Sequence, residues 1–139
     1  EDNDLNAEIA EAILERAGLR IERVENGIQC VNRILKMPAG TYDMIFMDAA
    51  KGQYINWLPD ILRLLRDGGL LMSDNVLQDG TIMESRYAVE RRDRTIHERM
   101  REYLYTLKHM EELETSIIPI GDGAAISVKI EIEKERVGK

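Results

Sequence analysis

Three absences bound this sequence. Cys30 is its one cysteine, so no internal disulfide can form, which fits a reducing, cytoplasmic setting, and Cys30 itself reads as a small helix residue. No apolar run approaches the roughly 20 residues of a membrane-spanning helix, and no signal-peptide pattern opens the chain. Positive charge is in deficit: a net charge of -7 argues against nonspecific nucleic-acid binding by the whole surface and leaves room only for a local basic patch. What remains is 139 residues with 32% charged and 44% hydrophobic side chains, the balance and length of one soluble domain.

Helical and extended patterns alternate along it. Leu5, Ile9, Ile13 and Ala17 predict a helix over residues 6–17, closed by Gly18. Residues 20–25 alternate around Ile21 and Val24 as a short strand, and Asn26-Gly27 releases the chain into a helix carrying Ile28, Val31, Ile34 and Leu35. Met37-Pro38 ends it. Residues 42–48 hold four consecutive apolar residues, as suits a strand covered on both faces. A helix over 54–65 follows, with Trp57, Leu58, Ile61, Leu62 and Leu65 inward and Pro59 near its start, then a strand over 70–73. Residues 76–92 read as a loop or lid. Asp93 caps a helix to about Met110 with Ile96, Met100, Tyr103, Leu104 and Leu107 buried. Two strands, 113–120 and 124–132, flank the turn Gly121-Asp122-Gly123, and residues 133–139 form a charged tail that frays. The pattern predicts an α/β, Rossmann-like or flavodoxin-like three-layer sandwich in a single domain, its sheet mostly parallel with a carboxy-terminal antiparallel hairpin.

The chemistry concentrates where strands end. Asp48 follows one strand and Asp74-Asn75 another, and open α/β sheets place ligands at the carboxyl ends of their strands. Two carboxylates and an amide there predict an oxygen-rich site for Mg²⁺ or Ca²⁺. His97 and His109 lack further ligands at metal spacing and read as solvent-facing or capping. Arg91, Arg92 and Arg94 form a basic cluster, read first as a solvated helix entry and otherwise as a contact for an anionic substrate, a tRNA phosphate or a second copy. The Met residues read as scattered core.

Residues 1–48 carry words in order, Glu-Asp-Asn-Asp-Leu-Asn, Ala-Gly-Leu, Val-Glu-Asn-Gly and Tyr-Asp-Met-Ile-Phe-Met-Asp. They resemble the receiver domain of response regulators and hybrid sensor kinases. That resemblance implies Glu1 and Asp2 as an acidic pair for Mg²⁺, Asp48 as phosphoacceptor and Ser73 as the switch hydroxyl.

Residues 42–129 carry a second set: Tyr-Asp-Met-Ile-Phe-Met-Asp-Ala-Ala-Lys-Gly-Gln-Tyr, Leu-Arg-Asp-Gly-Gly-Leu-Leu-Met-Ser-Asp-Asn-Val-Leu, Arg-Arg-Asp-Arg-Thr-Ile and Pro-Ile-Gly-Asp-Gly-Ala-Ala-Ile-Ser. These resemble the class I, metal-dependent O-methyltransferases of the caffeoyl-CoA and catechol type, including small bacterial members that act on tRNA hydroxyuridine. This resemblance implies Asp48, Asp74 and Asn75 as metal ligands, Lys51 as the base beside an acceptor hydroxyl, and Glu1 at the acid that holds the ribose of S-adenosylmethionine. No glycine-rich loop precedes Gly18 to cradle that cofactor.

The two resemblances meet at residues 42–48, so the sequence reads as an engineered chimera joined at an equivalent strand, without efficient catalysis but binding a divalent cation. The alternatives are an active S-adenosylmethionine-dependent O-methyltransferase acting on a small hydroxylated acceptor or tRNA, and a phosphorylatable receiver. A receiver's central strand would precede Glu1, and an unfilled slot there predicts self-association through strand edges.

Overall fold

The computed structural model describes residues 4–18, 21, 23, 24, 26–85 and 87–132. Contacts divide the chain into two compact units, Glu1–Met37 and Pro38–Lys139.

The first unit holds two helices. α1 (Asp4–Arg16) runs into Gly18, which adopts φ 79°, the left-handed conformation that ends helices. α2 (Gly27–Lys36) begins on Asn26, whose side-chain oxygen accepts the Gln29 N–H at 3.0 Å. That bond satisfies a donor the first turn cannot pair, a contribution of about 1 kcal/mol. The apolar stripes of both helices are exposed: Leu5, Ile9 and Ile13 on α1, Ile28, Val31 and Leu35 on α2. The strand expected over residues 20–25 is not formed at its described members Ile21, Arg23 and Val24. Alternating residues need a ladder partner before they are a strand.

The second unit contains β1 (Tyr42–Met47), a 3₁₀ turn (Lys51–Gln53), α3 (Tyr54–Leu64), β2 (Leu65–Ser73), a second 3₁₀ segment (Gln78–Met83), α4 (Arg94–His109), β3 (Leu113–Ile118) and β4 (Ala124–Lys129). Its sheet has the order β1-β2-β4-β3. β1 and β2 are parallel, and the β2–β4 and β3–β4 pairs are antiparallel. The parallel character that the alternation predicts therefore resides in β1–β2, and the carboxy-terminal hairpin is present, with Gly121 and Gly123 at positive φ in its turn.

β2 starts five residues earlier than expected because Arg66-Asp67-Gly68-Gly69 bulges within the strand instead of preceding it. Tyr42 pairs with Leu65 but Met44 with Leu70, a break in register that absorbs the extra residues. A Cβ on Gly69 would sit 2.7 Å from the Arg66 carbonyl oxygen, so the bulge needs glycine there. Lys129 donates to the carbonyls of Leu62 and Leu65 at 3.0 and 2.9 Å, satisfying acceptors that the end of α3 leaves over.

α3 and α4 pack on each other and against the sheet. The core gathers Tyr54, Leu58, Ile61, Leu62, Leu65, Leu71, Met100, Tyr103 and Leu107. Trp57, expected as an inward anchor, is 41% exposed, and Tyr54 is fully buried. At about 100° per residue, Tyr54, Leu58, Ile61, Leu62 and Leu65 share one stripe and Trp57 falls at its margin. In the first turn of α4 the expectation inverts: Ile96 is 42% exposed and His97 only 1%. There the 3₁₀ turns join the helix's neighbours, so a stripe extrapolated from Met100, Tyr103 and Leu107 no longer says which side is covered. Asp93 precedes α4 without a side-chain capping bond; its carboxylate pairs with Arg92 instead.

Candidate functional site at the ends of β1 and β2

Because β1 and β2 are adjacent and parallel, the residues that follow them emerge at one rim. The Asp74 N–H donates to the Met47 carbonyl at 3.0 Å. The Asn75 side-chain amide lies 3.4 Å from an Asp48 carboxylate oxygen, and the Asn75 backbone N–H donates to the Asp74 carboxylate at 2.8 Å. Asn75 has φ 55°, the one positive value at a non-glycine among the described residues. Asn tolerates this conformation better than most side chains, and such backbone strain concentrates where a turn must present a group. Asp48 is exposed, with Asp74 and Asn75 half-buried. The rim thus gathers two carboxylates and a side-chain amide, a set whose oxygens are hard donors of the kind Mg²⁺ or Ca²⁺ takes. Among the described residues no three His, Cys, Asp or Glu side chains are placed to hold a metal ion together, so the third protein donor of a set built on Asp48 and Asp74 would be the amide.

Buried hydroxyls and a glycine turn hold this rim. The Tyr54 hydroxyl accepts the Ala49 N–H at 3.3 Å and faces the carbonyls of Met47 and Asp74, each at 3.2 Å. Burial pushes its pKa up, and the Asp48 and Asp74 charges add to that, against the lowering by the Ala49 N–H. Tyr103 meets Tyr54 edge to face at 5.4 Å and hydrogen-bonds the Ser73 hydroxyl at 2.6 Å. Beyond Asn75, the N–H groups of Val76 and Leu77 donate to the carbonyls of Gly123 and Asp122. A Cβ on Gly123 would lie 2.3 Å from the Leu77 side chain, so the glycine turn of the hairpin is also a seat for the chain leaving the rim.

Lys51 opens the 3₁₀ turn three residues beyond Asp48 and is half-buried. The Arg99 guanidinium donates to the next residue's carbonyl, Gly52, at 3.1 Å, and so pins that turn to α4. Glu1 and Asp2, the expected ribose and metal acids, lie outside the described residues, as does the tail 133–139. Ser73 is fully buried against Tyr103 and cannot serve as an exposed switch hydroxyl. His97 is buried, contrary to its solvent-facing reading. His109, in the last turn of α4, bonds the Tyr105 carbonyl and stacks on the Tyr105 ring. The arginine cluster is engaged locally: Arg92 pairs with Glu90 and Asp93, and Arg94 donates to the Val89 carbonyl. Residues 76–92 are not a free lid, since Val76, Ile82 and Val89 are buried. Sequence reasoning missed Tyr54 and Gly123. The signal for Tyr54 was its place at the head of the stripe that Leu58, Ile61 and Leu62 continue.

A parallel strand pair with an acidic rim, backed by helices and extended by an antiparallel hairpin, defines a Rossmann-like α/β domain. Comparison with known proteins narrows that class. The O-methyltransferase family model matches residues 1–130. A caffeoyl-CoA O-methyltransferase of Citrus natsudaidai is 33% identical over 134 residues, covering 92% of this chain and 58% of that protein. A catechol O-methyltransferase of Niastella koreensis is 35% identical over 82 residues, 57% of this chain and 37% of that protein. The O-methyltransferase from Bacillus cereus, solved in complex with SAH, shares the fold with a TM-score of 0.69 at 23% identity, covering 93% of this chain and 60% of its own. The chain belongs to the O-methyltransferase family, and it spans less than two thirds of the length of these relatives.

One family thus runs straight through the stretch assigned to a receiver, and neither the receiver half nor a chimera finds support. Asp2, which the receiver resemblance put in the metal set, lies outside the described residues. Both resemblances rest on an acid after an apolar strand at a parallel sheet's carboxyl rim, which is why the same words fit both. Among the described residues no helix is long and apolar enough to cross a membrane.

Proposed function

We infer that this chain carries the metal- and acceptor-binding part of an O-methyltransferase that uses S-adenosylmethionine and acts on a small hydroxylated acceptor. The observation that carries the reading is the convergence of Asp48, Asp74 and Asn75 at one rim through the Asp74-to-Met47 backbone bond. A divalent cation held there would lower the pKa of an acceptor hydroxyl and fix its oxygen for in-line attack on the methyl group. Asp48 and Asp74 would supply its charged ligands and Asn75 a neutral one, keeping the site's net charge low. Lys51, in the turn that Arg99 pins, would take the acceptor's hydroxyl proton on its amine. Glu1 keeps the ribose hydroxyls of the methyl donor as its assignment. The catechol and caffeoyl-CoA enzymes among the relatives support small hydroxylated acceptors, and the local pairing of Arg92 and Arg94 favours these over tRNA.

The test is thermal unfolding with Mg²⁺ or Ca²⁺. Cation at 100 times its Kd should stabilise the parent by about 2.7 kcal/mol and Asp74→Ala by far less. Equal shifts in the two proteins would remove the site. Calorimetric titration with S-adenosylmethionine tests the donor separately, and no heat at millimolar ligand would exclude it.

A further inference from the structure

Tyr54 has no assigned role in the reading above, yet its hydroxyl meets three backbone groups at the rim. It is the first residue of α3, it is completely buried, and its hydroxyl sits among three backbone groups belonging to two different turns. Ala49, whose N–H it accepts, follows Asp48; the Met47 carbonyl precedes Asp48; the Asp74 carbonyl belongs to the second acid itself. A phenol has one proton, so it donates to one of the two carbonyls at a time or shares the proton between them. The Met47 carbonyl, with its second lone pair, also takes the Asp74 N–H. These four residues close a small network in which moving either turn breaks a bond made by the other.

We propose that Tyr54 is a positioning residue for the cation: its single hydroxyl ties the turn carrying Asp48 to the turn carrying Asp74 and so sets the separation of the two carboxylates. The proposal rests on reading that rim as a cation site. The hydroxyl cannot drift, because Tyr103 closes on the ring from α4 while binding Ser73, the residue before Asp74. The ring is fixed from α3 and α4, and the two acids inherit its position. Groups behind the ligands of a metal commonly change its affinity by 10- to 100-fold when lost.

Tyr54→Phe keeps the ring and deletes the hydroxyl. In this variant Mn²⁺ affinity, read by electron paramagnetic resonance well below the melting temperature, should fall about tenfold or more. The Ala49 amide, left without its acceptor, should lose hydrogen-exchange protection. Thr115→Val is the control for a purely structural effect: it removes a buried hydroxyl that bonds Leu107 and Ser127, and it should lower the melting temperature while leaving Mn²⁺ affinity unchanged. Unchanged affinity in Tyr54→Phe, or an equal loss in both variants, overturns the proposal. If Tyr54→Phe does not fold, the wild type still decides: the Tyr54 hydroxyl proton should be visible by NMR and should shift on adding Mg²⁺, and a proton in fast exchange that Mg²⁺ leaves untouched overturns it. A wild type that binds no Mn²⁺ while Tyr54→Phe still deprotects Ala49 would overturn the cation reading and the positioning role together, leaving only a lock between turns.

Discussion

In α2, Ile28, Val31 and Leu35 recur at helical spacing and lie exposed, whereas Leu58, Ile61 and Leu62 of α3, at comparable spacing, are buried. The patterns are alike; the surroundings differ. The unit Pro38–Lys139 supplies α3 with a sheet face and a second helix that carries Tyr103, so its apolar side finds cover within the unit. Amphipathic periodicity states a demand for cover, and only contacts made elsewhere in the chain answer it.

The largest expected effect tests that contrast directly. Leu71→Ala, in the fully buried middle of β2, should cost about 2 to 5 kcal/mol in urea unfolding, while Ile13→Ala on the exposed stripe of α1 should stay within about 0.5 kcal/mol. Comparable losses would show that the α1 stripe is covered in solution.

A second pair sharpens the comparison inside the second unit. Gly123 and Gly80 both adopt positive φ, but a Cβ at Gly80 meets open space and one at Gly123 meets Leu77. Gly80→Ala should cost about 1 to 2 kcal/mol from the left-handed backbone alone. Gly123→Ala should add about 1 to 3 kcal/mol of overlap and weaken Mn²⁺ binding as the chain beyond Asn75 shifts. Equal stability losses would mean the seat at Leu77 is soft.

The smallest effect is alkaline. Burial raises the pKa of both Tyr54 and Tyr103, and the Ser73 hydroxyl only partly opposes this at Tyr103. The folded chain therefore keeps phenol protons that the unfolded chain releases above about pH 10. Stability contributed this way is intact below that pH and lost as pH rises beyond it, at up to about 1.4 kcal/mol per pH unit for each group. Tyr103→Phe should flatten the fall of melting temperature between pH 9 and 11 relative to the parent, and parallel curves would show that the phenol is not protected.

Much of the second unit was legible from its residues. The apolar run 44–47 announced a strand and the acid after it a rim, because a polar change at a strand's end is written in consecutive residues; the cover expected on both faces is not there, since β1 lies at the end of the sheet order with Met44 and Phe46 exposed. The helices, the hairpin and its glycines followed from the same local chemistry. That Ile21, Arg23 and Val24 form no strand was not legible, since alternation around Ile21 and Val24 says nothing about whether a neighbouring strand exists to pair with. Nor was the inversion of Ile96 and His97, which depends on what packs around the first turn of α4.

By itself the sequence determined which segments would be helix or strand in most of Pro38–Lys139, and that Asp48, Asp74 and Asn75 would each follow a strand, because propensity, period and chain-breaking residues act within a few positions of one another. Tertiary structure alone decided that one face of β1 stays exposed at Met44 and Phe46, that a bulge at Gly68-Gly69 takes up the spare residues, and that Tyr54 and not Trp57 faces inward at the rim. Those outcomes depend on distances between atoms far apart in the chain, which no local pattern encodes.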